Sequence, residues 1–119
     1  MKPIEQLQQY VACVFEPRDV AEVRILRGGE ARKHWCLARE LPALADRLSK
    51  ANRESWNIYG GPNPRTAKGV SGDANVETFR CIFADFDHIE ADGCSPSEIV
   101  LAKIEDAGLQ RPTLTIFSG

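Results

Sequence analysis

The chain has 119 residues, of which 43% are hydrophobic and 27% are charged, a composition typical of a globular protein with one domain or a piece of one. Its formal charge is −2 at pH 7, whereas a dedicated nucleic-acid-binding domain is usually basic overall, so any contact with DNA must come from local patches. No stretch approaches the ~20 apolar residues of a membrane helix, and the four cysteines lack zinc-type spacing, so we expect a cytoplasmic protein with reduced cysteines and no membrane partner.

The first half of the chain predicts a helix, a hairpin, a second helix and a short strand. Apolar residues at helical spacing after Pro3 indicate an amphipathic helix over residues 3–14. The segment EVRIL predicts a strand, and the glycines of RGGE allow the positive φ angles of a tight turn before a returning strand, RKHWCLA. A helix over roughly 40–52 and a strand at 56–60 follow.

The second half begins with a long loop, GPNPRTAKGVSGDAN, which leads into an apolar strand, TFRCIFADFD. The motif SPSE then predicts a helix start, with Ser95 as the cap, Pro96 at the first helical position and Glu98 completing a capping box. Apolar residues of this helix form a stripe that we expect to be buried, and Gly108 ends it before a last strand, TLTIF. The stripe comprises Val100, Leu101, Ile104 and Ala107.

This succession of elements predicts an α/β (α+β) fold. The sheet is expected to be mixed, with a β-hairpin, a β-α-β unit and about three helices. A strand, a helix and a strand in sequence favour parallel strands joined by a right-handed crossover. In such sheets ligands collect at the carboxyl ends of the strands, where Asp85, Asp87 and Ser118 all fall.

The two aspartates that close the apolar strand indicate a metal site. Alternate side chains of a strand share a face, so Asp85 and Asp87 are expected to lie roughly 7 Å apart on one face and to repel each other. A divalent cation relieves that repulsion, and Mg²⁺ or Mn²⁺ prefers carboxylate oxygens while keeping waters that substrate phosphates can replace. The simpler alternative is a strand end whose acids point into water.

One family that places Asp-x-Asp after an apolar strand is the haloacid dehalogenase-like phosphohydrolases. There the first Asp is the nucleophile, the second is an acid/base, and a later strand ends in Ser or Thr, which Asp85, Asp87 and Ser118 resemble. That pattern normally opens its fold, however, whereas here roughly eighty residues precede it. A Mg²⁺-dependent phosphohydrolase is therefore kept as an alternative.

A second resemblance spans nearly the whole chain. The segments VRILRGGEARKHWCLA, NIYGGPNPR, RCIFADFD and TLTIFSG, with a helix after the first and another before the last, resemble the front half of an archaeo-eukaryotic-type primase domain. The likeness is greatest to the primase–polymerase domains of plasmid, phage and mobile-element replication proteins. In that family a histidine and a third acidic residue come later. The resemblance therefore implies that residues 1–119 are the N-terminal part of a catalytic domain, inactive or nearly so in isolation.

The resemblance also implies roles for individual residues. Asp85 and Asp87 correspond to the catalytic carboxylates that hold Mg²⁺ or Mn²⁺, and Ser118 corresponds to a serine near the phosphates of the incoming nucleotide. Asn63 and Arg65 match an Asn-Pro loop near the active site, where they are candidate nucleotide-binding residues. The implied activity is metal-dependent nucleotidyl transfer by a DNA primase–polymerase.

The partners implied by the resemblance are a DNA template and nucleoside triphosphates, with a helicase domain or partner also compatible. Lys68 and Arg80 flank the acidic strand and are candidate nucleic-acid contacts. A non-catalytic alternative is a replication-associated DNA-binding module that is indifferent to Mg²⁺ and nucleotides. The basic hairpin could touch a DNA backbone, although a solvated strand face is the simpler interpretation, and both tryptophans are expected to pack in the core. The hairpin cations are Arg24, Arg27, Arg32 and Lys33.

Overall fold

The structure is a computed structural model that describes residues 1–84, 89–90 and 93–116. It divides the chain into two units, Met1–Ile82 and Phe83–Gly119. The described residues contain three α-helices and one three-stranded antiparallel sheet, so the prediction of a mixed α/β chain with about three helices is confirmed.

The sheet of the first unit is built around the predicted hairpin. Strand β1 (Val20–Arg27) pairs antiparallel with β2 (Glu30–Leu37), and the ladder closes at the pair Arg27 and Glu30. Gly28 has a φ of +58°, a backbone conformation that glycine adopts without strain, and this lets two residues reverse the chain. On its other side β1 pairs antiparallel with β3 (Asn57–Gly60), which gives the strand order β2-β1-β3.

The helices of this unit begin close to their predicted positions. Helix α1 spans Pro3–Val14, as the apolar spacing predicted. The second predicted helix begins instead as a 3₁₀ helix over Ala38–Leu44 and becomes α-helical in α2, Ala45–Arg53. Pro42 accounts for this, because it has no N–H to donate and disfavours the α conformation in the residue before it. No helix within the described ranges is long and apolar enough to cross a membrane.

The apolar core lies between one face of the sheet and the helices. Directly paired residues of neighbouring strands share a face, so the buried Ala21, Val23 and Cys36 belong to the same side. Trp56 is only 3% exposed, which confirms its predicted place in the core. The other buried apolar side chains come from α1, the 3₁₀ helix and their junctions with neighbouring segments: Val14, Phe15, Ala38, Leu41 and Ala45.

In the second unit, α3 spans Pro96–Asp106 and starts with the predicted capping box. The Glu98 N–H donates to Ser95 Oγ at 3.2 Å, and the Ser95 N–H donates back to Glu98 Oε2 at 3.3 Å. Gly108 follows the helix with a φ of +70°, as expected of a C-terminal stop. The prediction of a buried stripe is wrong, because no residue of α3 is fully buried.

The predicted β-α-β unit is not formed by the described residues. Residues 78–84 and 113–116, which cover most of the two predicted strands, carry no strand ladder. A strand needs a hydrogen-bonded neighbour, and the N–H groups of Arg80 and Cys81 donate instead to the side chain of Asn63. Residues 78–84 and 113–116 therefore offer α3 no sheet to pack against, in keeping with the partial exposure of its apolar stripe.

The core predicts a large loss of stability on truncation of Leu41, which is 2% exposed. Leu41→Ala is expected to lower the free energy of unfolding by about 3 kcal/mol, because it removes buried methyl groups and leaves a cavity. Urea denaturation monitored by circular dichroism measures the change. The matched control is Ile4→Ala on α1, where the side chain is 43% exposed and the change should stay within about 0.5 kcal/mol. Equal effects of the two substitutions would contradict the described core.

Candidate functional site

A buried carboxylate, Glu22, occupies the middle of β1 on the face opposite the apolar core. Its neighbours Ala21 and Val23 point to the helices, so alternation directs Glu22 to the other side of the sheet. The residue is only 2% exposed. A charge at this depth is costly unless cations and hydrogen bonds compensate it, so its partners define the site.

Four side chains from three segments surround the Glu22 carboxylate. Arg24 Nε donates to Oε1 at 2.5 Å, and the Arg65 guanidinium lies 3.7 Å from the same oxygen. Trp35 Nε1 donates to Oε2 at 3.1 Å, and the Ser71 hydroxyl donates to the same oxygen. Both carboxylate oxygens are therefore engaged, and the charge of Glu22 is offset by two arginines.

These contacts set the ionisation of Glu22. Burial alone raises the pKa of a carboxyl group, but here hydrogen bonds from Ser71 and Arg24, together with the charges of Arg24 and Arg65, outweigh it and hold the pKa of Glu22 below its usual value. Glu22 therefore stays negatively charged at neutral pH. It acts as a fixed counter-ion for the two arginines.

A polar pocket of about 340 Å³ opens beside this cluster. Arg65 stands at its wall, with Nη1 donating to the Gly72 carbonyl at 3.0 Å. Its Nε is buried and has no hydrogen-bond partner within the part of the chain that the structure describes. The pocket thus presents guanidinium, carboxylate and backbone groups to a polar ligand. Its lining residues are Glu22, Arg24, Tyr59, Gly60, Gly61, Arg65, Gly72 and Asp73.

The Asn-Pro-Arg loop continues the edge of the sheet past β3. The Gly61 N–H donates to the Glu22 carbonyl at 3.1 Å, and the Arg65 N–H donates to the Val20 carbonyl at 2.8 Å. Between these two anchors the chain loops outward through Asn63 and Pro64, both of which are buried. This double attachment to β1 fixes where the side chains of the loop lie.

Asn63 uses its side chain to fasten a second segment to the loop. Its Oδ1 accepts hydrogen bonds from the backbone N–H groups of Arg80, at 2.8 Å, and Cys81, at 3.4 Å. Cys81 Sγ also lies 3.3 Å from the Pro62 carbonyl. Because Asn63 is 9% exposed, water does not readily replace these contacts. The loop therefore holds the start of the segment that leads, four residues later in the sequence, to Asp85.

Arg80 makes a bidentate ion pair with a second buried acid, Asp19. Its Nε and Nη2 donate to the two carboxylate oxygens at 2.9 and 3.0 Å, and Nη1 lies 3.3 Å from Glu16. Burial raises the pKa of Asp19, but hydrogen bonds from Arg80 and from the Glu16 N–H outweigh it and lower the pKa. The hydrogen bond to Asp19 in turn raises the pKa of Arg80. The structure thus gives Arg80 a structural partner, and its contact with nucleic acid stays a prediction.

The sequence-predicted site residues fall into two groups. Asn63 contacts the backbone of Arg80, Arg65 lies separately at the polar pocket, and Lys68 lies exposed farther along the loop. Asp85, Asp87 and Ser118 lie outside the described residues, so their roles stay predictions. Within the described ranges no three His, Cys, Asp or Glu side chains come together as a metal site.

Sequence reasoning missed the cluster around Glu22. Glu22 and two of its partners, Arg24 and Trp35, lie on strands that the sequence did predict. The other two partners, Arg65 and Ser71, come from a distant loop. Alternation with Ala21 and Val23 places Glu22 on the opposite face of the sheet, but such a face is commonly solvated, so no sequence signal marks this acid as buried. Its long-range partners have no sequence signature.

The charged state of Glu22 predicts an acid-sensitive contribution to stability. Because its pKa is lower in the folded than in the unfolded chain, its stabilisation is present above the ordinary glutamate pKa of 4.5 and is lost as the pH falls through the folded pKa. Glu22→Gln should lower the free energy of unfolding by about 3 kcal/mol at pH 7 and by progressively less below pH 4.5. Urea titrations across this range measure the difference.

The control for Glu22 is Glu30→Gln, since Glu30 pairs with Arg32 at the surface, with its side chain 52% exposed. That substitution should change the free energy of unfolding by less than about 0.5 kcal/mol at any pH. A pH-independent effect of Glu22→Gln would show that Glu22 is not a charged counter-ion.

The two backbone hydrogen bonds that Asn63 accepts predict a local effect on amide hydrogen exchange. Asn63→Ala should speed exchange at Arg80 and Cys81 by at least about tenfold, because their N–H groups lose a buried acceptor. Asn63→Asp keeps an acceptor oxygen and should restore protection, and Asn57→Ala, at an exposed position, is the neutral control. Exchange followed by NMR is the measurement, and unchanged protection in Asn63→Ala would refute the contact.

Comparison with known proteins returned no matching family model, no similar curated protein and no similar solved structure.

Proposed function

We propose that this chain is the N-terminal part of a DNA primase–polymerase catalytic domain, which joins nucleotides on a DNA template by metal-dependent nucleotidyl transfer. The setting is the replication of a plasmid, phage or mobile element. The proposal comes from the succession of motifs in the sequence. One observation on the described residues supports it best: Asn63 of the Asn-Pro-Arg motif holds the backbone of the acid-bearing segment at Arg80 and Cys81.

That contact matters because it links two motifs that the resemblance assigns to one active site. The loop NPR and the segment RCIFADFD are separated by more than a dozen residues in the sequence. A surface loop with no role would have no need of a buried asparagine at this junction. A link of this kind is what a catalytic segment needs, since small displacements of reacting groups cost large factors in rate.

Arg65 is the described residue with the clearest role in binding a nucleotide. Its guanidinium lines the polar pocket, and its buried Nε lacks an acceptor within the described ranges. Arginine presents a planar fork of N–H groups that matches phosphate oxygens. A triphosphate oxygen entering the pocket is an acceptor of the kind that Arg65 lacks, while Glu22 and Gly72 fix the orientation of the side chain.

The predicted catalytic step depends on Asp85 and Asp87, with Ser118 beside the nucleotide phosphates. These carboxylates would hold Mg²⁺ or Mn²⁺, and such ions, when bound, lower the pKa of an attacking hydroxyl and offset the charge on the triphosphate. The remaining groups contribute by binding and orienting phosphates, which is most of what phosphoryl transfer requires of a protein. Lys68, exposed on the same loop as Arg65, is a further candidate for contact with nucleic acid.

The direct test is primer synthesis by the protein as the cell makes it, on a single-stranded template with nucleoside triphosphates and Mn²⁺ or Mg²⁺. Asp85→Asn and Asp87→Asn should each lower the rate by at least about 100-fold, because each removes a charge that holds the metal. The matched control is Glu90→Gln, which removes one nearby exposed carboxylate and should leave synthesis unchanged. Circular dichroism checks that the variants fold.

Three results would contradict the proposal. Undiminished synthesis in Asp85→Asn would remove the acidic pair from the chemistry. Release of phosphate from small esters, without any synthesis, would favour the phosphohydrolase. Binding of DNA that is indifferent to metal and nucleotide, with no synthesis under any condition, would favour the non-catalytic binding module.

A further inference from the structure

A second concave surface lies on the opposite side of the sheet from the polar pocket, between the hairpin and α2. We call it the basic groove; it encloses about 240 Å³. Val23 and Ile25 of β1 lie at its floor, whereas Glu22 and Arg24, the alternate residues of the strand, line the polar pocket. The groove is lined by Val23, Ile25, Arg32, Lys33, His34, Leu44, Arg47, Leu48, Lys50, Ala51, Glu54 and Trp56.

Cations dominate the polar lining of the basic groove. Arg32 comes from β2, and Arg47 and Lys50 come from α2, against a single acid, Glu54. Of these three cations only Arg32 makes an ion pair with a carboxylate in the described ranges, a surface contact with Glu30. The other two leave their charge uncompensated, so the groove carries a positive potential over about a Debye length, ~8 Å. Lys33 also borders the groove, but it pairs with Arg24, so alternation directs its side chain to the opposite face of the sheet.

This concentration of charge is not explained by the composition of the chain. The whole chain has a formal charge of −2, yet residues 1–82 carry 13 Lys and Arg against 10 Asp and Glu. Two buried acids of that unit, Asp19 and Glu22, are already neutralised by Arg80, Arg24 and Arg65 away from the groove. The cations that line the groove are therefore not the partners of the buried acids Asp19 and Glu22.

Arg32 in the groove, and Arg27 beside it, lie over the ring of Trp56. The guanidinium groups of Arg27 and Arg32 lie 4.4 and 4.5 Å from the centre of the Trp56 ring, within the range of cation–π attraction. Trp56 is 3% exposed, and Arg27 Nη1 also donates to the Glu54 carbonyl at 3.2 Å. Arginines fixed in this way lose less conformational entropy when they bind an anion.

The other wall of the groove takes its cations from α2. Arg47 and Lys50 are three residues apart on α2, so they project from neighbouring positions of one helix face. Leu44 and Leu48 also line the groove and, with Val23 and Ile25, make part of its surface apolar. Cations on both walls of an apolar floor suit a ligand that combines negative charges with less polar groups between them.

We infer that the basic groove binds the sugar–phosphate backbone of a single-stranded nucleic acid. Phosphates meet the cations of both walls, and sugars or bases lie against the apolar floor. The apolar floor favours a single strand, whose bases are unpaired and accessible, over a duplex, whose bases are stacked inside. The identification of this strand as the DNA template rests on the proposed function, whereas the binding itself can be measured without catalysis.

The test is binding of a fluorescently labelled oligothymidylate of about twenty nucleotides, without metal or nucleotide, over a series of salt concentrations. The triple variant Arg32→Gln, Arg47→Gln, Lys50→Gln removes three groove charges. It should weaken binding by roughly 100-fold at 0.1 M salt and reduce the slope of log K against log salt by about 2, since each phosphate contact on a single strand contributes about 0.7.

The matched control is the triple variant Arg18→Gln, Arg39→Gln, Arg53→Gln, which removes the same charge at exposed positions outside the groove. Its affinity should fall by less than about fivefold, because only long-range attraction is lost. Equal losses in the two triple variants would overturn the inference. So would equal competition by polyglutamate of matched charge, which would instead reveal a surface for acidic protein segments.

A second measurement uses the unaltered protein and does not depend on the folding of a variant. NMR chemical-shift changes on adding the oligonucleotide should concentrate at residues 32–34 and 47–51. Shifts confined to other residues would refute the groove.

The Asp85→Asn variant separates this inference from the proposed function. It should bind the oligonucleotide as the unaltered protein does, within about twofold, while losing synthesis. Binding through the groove by a protein that never synthesises primers would support the inference and refute the proposed function. Synthesis that persists in the groove variant, with unchanged affinity for the template, would refute the inference and leave the proposed function standing.

Discussion

The structure of the first unit depends on a charge buried in its sheet. Glu22 is placed by β1 on the face away from the apolar core, where its carboxylate needs partners that replace the water it loses on folding. Arg24 supplies one partner from the same strand, but Arg65 and Ser71 come from the long loop. Satisfying this one side chain therefore requires the loop to fold back over the sheet.

The folded loop in turn positions the next segment of the chain. With Gly61 and Arg65 bonded to the β1 backbone, Asn63 is held where its side chain accepts the N–H groups of Arg80 and Cys81. Arg80 is locked separately by Asp19. Residues 80 and 81, which form no strand ladder, are thus held by side chains, and the predicted catalytic acids follow them in the sequence.

Local signals in the sequence predicted local structure well. Pro3, the glycines after Arg27 and the Ser95 capping box act through the backbone conformation of a few neighbouring residues, and the structure confirms all three. The predicted β-α-β unit depended instead on pairing between distant segments. Apolar alternation identifies a segment that can form a strand but does not supply the neighbour that a strand needs.

The candidate site likewise combines residues that a local motif predicted with residues whose partners are distant in the sequence. Asn63 and Arg65 were predicted as site residues because a short motif resembled a known loop. The structure places Asn63 at the contact with Arg80 and Arg65 at the polar pocket. Glu22 was missed because a lone acid in a strand has many explanations until its partners are known. The basic groove was only half visible in the sequence: the hairpin cations were noted, but the second wall comes from α2, and its approach to the hairpin is a tertiary feature.

The two faces of the sheet thus carry different chemistry. The face covered by the loop holds a pocket in which arginines are balanced by acids, suited to a small polar ligand. The groove on the helical side exposes cations that lack such balance, suited to a polyanion. On the proposed function the first takes part in nucleotide binding and the second follows a template strand.

Binding of Mn²⁺ followed by electron paramagnetic resonance, with and without a nucleoside triphosphate, is the sharpest test of the proposed metal chemistry. We expect that the unaltered protein binds Mn²⁺, that the triphosphate tightens this binding, and that Asp85→Asn abolishes both effects while Glu90→Gln does not. Equal Mn²⁺ binding by the unaltered protein and Asp85→Asn, or no effect of the triphosphate, would contradict the assignment of this chain as part of a nucleotidyltransferase.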